Sequence, residues 1–137
     1  MGLCTVLVVD DFEAFRQTVC SMLQEAAQLC VVGQACDGLE AVQKAEEYQP
    51  DVILLDVGLP KLNGIDAARQ MSVVAPRSKV LFLSQNGDPH IVKSALGNGA
   101  YGYVLKSDAK HQLSLALATV VRGEKFLSKQ IIPLAHA

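Results

Sequence analysis

The sequence predicts an α/β fold, a doubly wound sandwich in which five parallel strands carry five helices on the two faces of one sheet. Three observations predict it. Short runs rich in Val, Leu and Ile take turns with longer segments of helical period. The central runs are apolar at every position, as strands covered on both faces are, instead of alternating. The 137 residues are 50% hydrophobic and 19% charged, which suits a single domain with its own core. Right-handed crossovers between successive strands then put helices on both sides.

Val6 to Val9 is the first run. After it, Phe15, Val19, Met22, Leu23 and Ala26 fall on one face of a helix. Val31 to Cys36 is weaker, interrupted by Gly33 and Gln34, and is expected at a sheet edge. A short helix follows over Leu39 to Tyr48, and Pro50 stops it. Val52 to Leu55 is the third strand. A loop with Gly58, Pro60 and Gly64 then leads to a helix over Ile65 to Val74. Val80 to Leu83 is the fourth run. Asp88 and Pro89 have the form of an N-cap with proline at the first helical position, and that helix closes at Gly97 and Gly99. Tyr101 to Leu105 is the fifth run. Asp108 is placed to cap a last helix whose apolar face is Leu113, Ala116, Leu117, Val120 and Val121. From Gly123 the pattern is lost. The domain is therefore drawn over 1–123, with 124–137 as a tail or the start of a linker.

Composition excludes several classes of function. A formal net charge of −2 gives the domain no electrostatic reason to sit on nucleic acid or an anionic membrane by itself. The four cysteines, Cys4, Cys20, Cys30 and Cys36, form no CxxC pair and have no histidine at ligand spacing. They are expected to be buried or half-buried free thiols. The N-terminus has no basic segment followed by an apolar stretch, so no signal peptide is indicated. No apolar run approaches the roughly 18 residues that span a bilayer. The expectation is a cytoplasmic protein with no membrane segment. His90, His111 and His136 fall in predicted helices or the tail and are expected in solvent.

In open α/β sheets, ligands bind beyond the carboxyl ends of the strands. The first predicted strand ends in Asp10 and Asp11, the third in Asp56, the fourth in Ser84 and the fifth in Lys106. Three carboxylates, a hydroxyl and an ammonium thus converge on one rim. The second strand ends in Asp37 beside Gly38, which has the look of an ordinary turn. A polar residue after any one strand is unremarkable because loops are polar; these types after four strands are not. Two carboxylates about 4 Å apart at an effective dielectric near 20 repel by about 4 kcal/mol. A raised pKa, a divalent cation or Lys106 must offset that. Oxygen-only ligands suit Mg²⁺ or Mn²⁺. An ammonium and a hydroxyl can hold phosphoryl oxygens, and a carboxylate can be the nucleophile that forms an acyl phosphate.

Other sites known on such sheets do not fit. Asp-Asp-Phe-Glu stands after the first strand, where a dinucleotide site has GxGxxG and an FMN site has a hydroxyl- and glycine-rich phosphate loop. The P-loop pattern and the GxSxG nucleophile elbow are both absent from the sequence.

The motifs that remain are Val-Leu-Val-Val-Asp-Asp at 6–11, Pro-Asp-Val-Ile-Leu-Leu-Asp at 50–56, Leu-Pro at 59–60 with Gly64, Leu-Phe-Leu-Ser at 81–84 and Gly-Ala-Tyr-Gly-Tyr-Val-Leu-Lys at 99–106. Together they resemble the receiver domains of two-component response regulators, over roughly residues 3–123. The resemblance implies the flavodoxin-like strand order 2-1-3-4-5. It implies Asp56 as phospho-acceptor, a sensor histidine kinase as donor, and Mg²⁺ (or Mn²⁺) as cofactor. Asp11, Asp56 and the backbone carbonyl of Gly58 resemble the direct metal ligands, and Asp10 the carboxylate that holds the ion through water. Lys106 resembles the phosphoryl-binding lysine, Ser84 the switch hydroxyl, and Tyr103 the aromatic that turns inward with it. A plainer account leaves Tyr103 half-buried with its hydroxyl in water.

Ser-Gln-Asn-Gly-Asp at 84–88 and Gly-Tyr-Val-Leu-Lys-Ser at 102–107 look most like the LuxR/NarL-type regulators. Gly-Glu-Lys-Phe-Leu-Ser at 123–128 resembles the segment that leads to their DNA-binding domain. The implied output is a switch of the face made by the fourth helix, fifth strand and fifth helix. It would act through homodimerisation or through a DNA-binding domain, with DNA met only through that domain, in transcription regulation. Such a protein is a signalling switch and not a turnover enzyme. Three departures bear on it. Ser107 replaces the proline that often follows the lysine, so the isomer of the Lys106–Ser107 bond is open. Gln85 is longer than the small residue of simpler receivers, and Gly58 offers no side chain beside the acyl phosphate. Two rivals stand beside this reading. One is a stand-alone or pseudo-receiver that only binds proteins. The other is a Mg²⁺-dependent phosphatase with an aspartyl nucleophile, which usually has a second carboxylate where Gly58 stands.

Overall fold

The computed structural model describes residues 3–128. Its elements alternate as the sequence predicts: β1 (Cys4–Val9), α1 (Glu13–Gln24), β2 (Leu29–Ala35), α2 (Gly38–Tyr48), β3 (Val52–Leu55), α3 (Gly64–Val74), β4 (Lys79–Ser84), α4 (Pro89–Gly97), β5 (Gly102–Leu105), α5 (Ala109–Val121) and a short β6 (Phe126–Leu127). All strand pairs are parallel, in the order β2-β1-β3-β4-β5-β6. The first five keep the expected order 2-1-3-4-5.

Strand parity divides the core. Alternate side chains of a strand point to opposite faces. Val6, Val8, Leu54, Leu81 and Val104 therefore pack with Val19 and Leu23 of α1 and Leu113 and Leu117 of α5. Leu7, Val9, Ile53, Leu55, Phe82 and Tyr103 pack on the other face against Ala41, Ala45, Ala67, Met71 and Val92 of α2, α3 and α4. The central strand β3 is buried at all four positions, which is why its run has no alternation. At the weak edge strand, the register slips so that Leu7 faces Gly33 directly after Val6 faces Val31. The interruption read at Gly33 is this bulge.

Several local expectations change. The sheet has six strands, not five. β6 lies in the stretch expected to be a tail, and it pairs Phe126 with Gly102 and Leu127 with Tyr103. A strand of two residues is too short to show a period, so the sequence carries no signal for it. Asp37 is more than a turn: it caps α2, accepting from the Glu40 amide at 2.8 Å, while the Glu40 carboxylate accepts from the Cys36 amide at 2.8 Å. The Glu40 amide, chiefly, holds the Asp37 carboxyl below its usual range. Asp88 caps α4 as expected, with Pro89 at the first turn. Asp108 stands at the N-cap of α5, but its side chain makes no capping bond there. The cysteines are free, and Cys36 is exposed on the loop before α2, not buried as expected. His90 and His111 are exposed, and His136 lies outside the described residues. No peptide bond among the described residues is cis, so Lys106–Ser107 is trans. Among the described residues no helix is long and apolar enough to cross a membrane.

Gly64 fixes the height of α3 against the rim. A Cβ there would lie 2.0 Å from the carbonyl oxygen of Asp56 and 2.9 Å from the Cα of Val57. Its amide donates to the Val57 carbonyl at 2.8 Å. Gly64→Ala is therefore expected to push the helix off the Asp56 backbone and cost about 2 kcal/mol, within the usual range for overpacking. Urea denaturation of the two proteins checks it; an unchanged midpoint would mean that α3 can slide freely.

Candidate functional site

β1, β3, β4 and β5 run parallel, so their carboxyl ends open on one rim. β1 delivers Asp10 and Asp11 to it, and β3 delivers Asp56, followed by Gly58. β4 ends on Ser84, and Lys106 directly follows β5. Carboxylate oxygens of Asp10, Asp11 and Asp56 lie within 4.8 Å of one another. Asp10 and Asp56 are buried, at 3% and 7% exposure, whereas Asp11 is exposed.

Lys106 supplies the counter-charge that three clustered carboxylates require. Its Nζ lies 2.7 Å from Oδ2 of Asp10 and 3.1 Å from Oδ2 of Asp56. The ammonium also stands over the Phe15 ring, 4.6 Å from its centroid, a cation–π contact from below. Burial works against the charge on Lys106, but the bonds to Asp10 and Asp56 outweigh it and hold the pKa above the ordinary 10.5. Oδ1 of Asp10 is engaged too, accepting from the Phe12 amide at 2.9 Å. Asp56 keeps a looser arrangement: its Oδ1 meets the Gly58 amide at 3.4 Å.

Ser84, 1% exposed, accepts through Oγ from the Asn86 amide at 3.1 Å. The Tyr103 hydroxyl donates to the Asn86 carbonyl. Tyr103 is fully buried and tilted against Phe82 at 5.9 Å between centroids. The plainer account of a half-buried ring with a solvated hydroxyl is therefore overturned. Burial pushes the phenol pKa up; the Ser84 hydroxyl pulls it down, and Asp56 and Asp88 add to the rise.

An open cleft of about 770 Å³ covers this rim, lined by Asp11, Phe12, Asp56, Gly58, Ser84 and Lys106, with Gln85 and Ser107 at its border. Gln85 is exposed and Gly58 has open space where a side chain would stand, so neither closes the cleft. The structure thus brings Asp10, Asp11, Asp56, Gly58, Ser84 and Lys106 to one rim, with Tyr103 buried beside it and joined to it through Asn86. It adds three that were missed. Phe15 lies under the lysine. Asn86 joins Ser84 to Tyr103 through its backbone. Arg16 donates to the Asp10 carbonyl at 2.7 Å and to Oε1 of Gln34 at 3.0 Å. The sequence carries no signal for Arg16, because its partner at Asp10 is a backbone carbonyl that any residue would offer.

The family model of the response regulator receiver domain matches residues 6–118, and the chain belongs to that family. The chain is 36% identical over 126 residues to the transcriptional regulatory protein DegU of Brevibacillus brevis, a match covering 92% of this chain and 53% of that protein. It therefore spans about half the length of this relative. Among solved structures, a two-component response regulator of the LuxR family from Aurantimonas superposes with a TM-score of 0.93 at 25% identity, covering 98% of this chain and 96% of that one. The signal receiver domain of the NarL response regulator from Mycobacterium tuberculosis superposes with a TM-score of 0.86 at 31% identity, over 90% of this chain and all of that one, 100%. The likeness to LuxR/NarL-type regulators read in the sequence is borne out.

Removing the lysine isolates two buried carboxylates. Lys106→Met should lower the unfolding free energy of metal-free protein near neutral pH by about 2 kcal/mol, less than the 3–5 kcal/mol of a fully enclosed pair because the cleft is open. A raised lysine pKa means stability that is complete below the unfolded value and lost as pH rises through the folded one. The gap between wild type and Lys106→Met should therefore narrow above pH 10.5. Denaturation curves on either side of that pH measure it, and a constant gap would contradict the assigned charge pair.

Proposed function

We propose that Asp56 accepts a phosphoryl group from a sensor histidine kinase in a Mg²⁺-dependent reaction, and that the chain is the receiver part of a LuxR/NarL-type response regulator. The observation that carries this is the joint placement of a half-engaged carboxylate, a metal-competent acidic pair and a half-buried ammonium on one open rim. A carboxylate oxygen of Asp56 attacks phosphorus, forming the O–P bond of an acyl phosphate. The P–N bond to the donor histidine breaks, and the electron pair leaves with the imidazole.

The donor set suits a hard divalent ion: carboxylate oxygens close together, with space beside Gly58 for its carbonyl and water. Asp11, Asp56 and the Gly58 carbonyl would hold Mg²⁺ or Mn²⁺. Asp10, whose two oxygens are engaged by Lys106 and the Phe12 amide, fits the role of a ligand through water. The bound ion would supply charge neutralisation on the phosphoryl oxygens. Lys106 needs only to trade one carboxylate for a phosphoryl oxygen, and Ser84, whose Oγ accepts from the Asn86 amide, to turn its O–H so that it donates to another. Ser84 and Tyr103 share Asn86, so movement of the hydroxyl releases the loop that holds the phenol.

A shift from 1:99 to 99:1 between two states needs about 5.5 kcal/mol of differential interaction. One charge-assisted contact is too little for that, and two together with the ion are of the right size. The switched face is that of α4, β5 and α5, and the output would be a homodimer or a DNA-binding domain acting on transcription.

Two measurements check this. Acetyl phosphate with Mg²⁺ should add about 80 Da to the intact protein, the mass of one phosphoryl group replacing a proton, and nothing to Asp56→Asn. Wild type left unmodified by acetyl phosphate and by a histidine kinase alike would favour a protein-binding pseudo-receiver. Mg²⁺ should also raise the thermal midpoint of the unphosphorylated protein, since a ligand bound only by the native state stabilises it. Asp11→Ala should abolish that rise; an undiminished rise would place the ion elsewhere.

A further inference from the structure

Ser128, the residue after β6, is fully buried at 0% exposure, although the proposed function gives its side chain no part. A buried hydroxyl is costly unless it is bonded. This one is bonded to a particular place: Oγ of Ser128 accepts from the amide of Leu105 at 3.3 Å, and Leu105 is the residue immediately before Lys106.

The surrounding ladder shows why the hydroxyl is there. The Phe126 amide donates to the Tyr101 carbonyl at 2.9 Å, and the Ser128 amide to the Tyr103 carbonyl at 3.0 Å. In a regular parallel ladder the Leu105 amide would donate next to the backbone carbonyl of Ser128. The side chain takes that acceptor's place, so the pairing of β5 is carried to its last residue by a hydroxyl. Gly102 belongs to the same arrangement. A Cβ there would lie 2.4 Å from the Phe126 carbonyl oxygen, so only glycine lets β6 come this close.

We propose that Ser128 is a positioning residue for Lys106. By pinning the Leu105 amide it sets the backbone from which the lysine reaches Asp10 and Asp56, and it makes the C-terminal strand part of the phosphoryl site. The strand is tied to two residues of the proposed switch, Tyr103 through its carbonyl and Lys106 through its neighbour. Motion of either is felt directly by β6 and Ser128. This deepens the proposed phosphorylation of Asp56 and rests on it.

The test uses the full chain, with Ser128→Ala and Ser128→Thr. Intact-mass kinetics with acetyl phosphate and Mg²⁺ should show phosphorylation slowed about fivefold or more in Ser128→Ala and within about twofold of wild type in Ser128→Thr, which keeps the hydroxyl. Mg²⁺ affinity, which depends on the carboxylates, should stay within about twofold in both. Amide hydrogen exchange at Leu105 should accelerate about tenfold in Ser128→Ala alone, the signature of a lost hydrogen bond. In metal-free protein, the ¹⁵N resonance of the Lys106 ammonium should shift in Ser128→Ala and not in Ser128→Thr. An unshifted lysine resonance alongside faster Leu105 exchange would overturn the proposal. So would a threonine variant that behaves like alanine, which would reduce Ser128 to packing. The two resonance and exchange measurements need no phosphorylation. If wild type is never modified, the reading of Asp56 fails, while the link from Ser128 to Lys106 is still decided.

Discussion

A single ammonium reconciles the rim with its own charge. Asp10 and Asp56 are both buried, and carboxylates that close together repel unless a cation stands between them. Lys106 reaches both, at 2.7 Å and 3.1 Å, and the rest of the rim is arranged around that reach. β5 must pair in register with β4 to bring the lysine to the right height. Phe15 on α1 must offer a ring beneath it, and Arg16 must hold the Asp10 backbone still. The same lysine makes the site reactive in the proposed chemistry. A cation that already bridges two carboxylates has only to exchange one anionic partner for another, so the counter-charge is in place before the phosphoryl group arrives.

The parts of this structure that are legible in the sequence depend either on residues near one another in the chain or on the parallel topology itself. The β3 run is apolar at four successive positions because both faces are covered, and its bounds were read directly. Asp88 and Pro89 marked the start of α4 for the same local reason. The strand-end residues were legible because a parallel sheet obliges every strand to finish on one side, so topology alone gathers Asp10, Asp11, Asp56, Ser84 and Lys106.

What escaped was nonlocal or carried by backbone atoms. Asn86 contributes a carbonyl and an amide, which any residue could provide, so its identity carries no sign of its part. Phe15 was read as one more member of the apolar face of α1, because a pattern of spacing cannot distinguish a ring under a lysine from a ring in the core. β6 exists only because β5 has a free edge and a glycine at 102, two facts separated from Phe126 by the whole of α5. Cys36, expected inside, is outside because the Asp37–Glu40 cap takes its amide and turns the chain at that point.

The two glycine contacts at Gly64 and Gly102 have opposite mechanical meanings. At Gly64 the helix start rests on the Asp56 and Val57 backbone with no room for a methyl group, so this part of the rim moves only if α3 moves as a body. At Gly102 the close neighbour is a two-residue strand, the last in the sheet among the described residues. One side of the rim is thus braced by a helix of eleven residues and the other by a strand of two. A shift on the α3 side has to carry the whole helix with it, whereas a shift on the β6 side disturbs only the few bonds that tie Phe126 and Ser128 to β5.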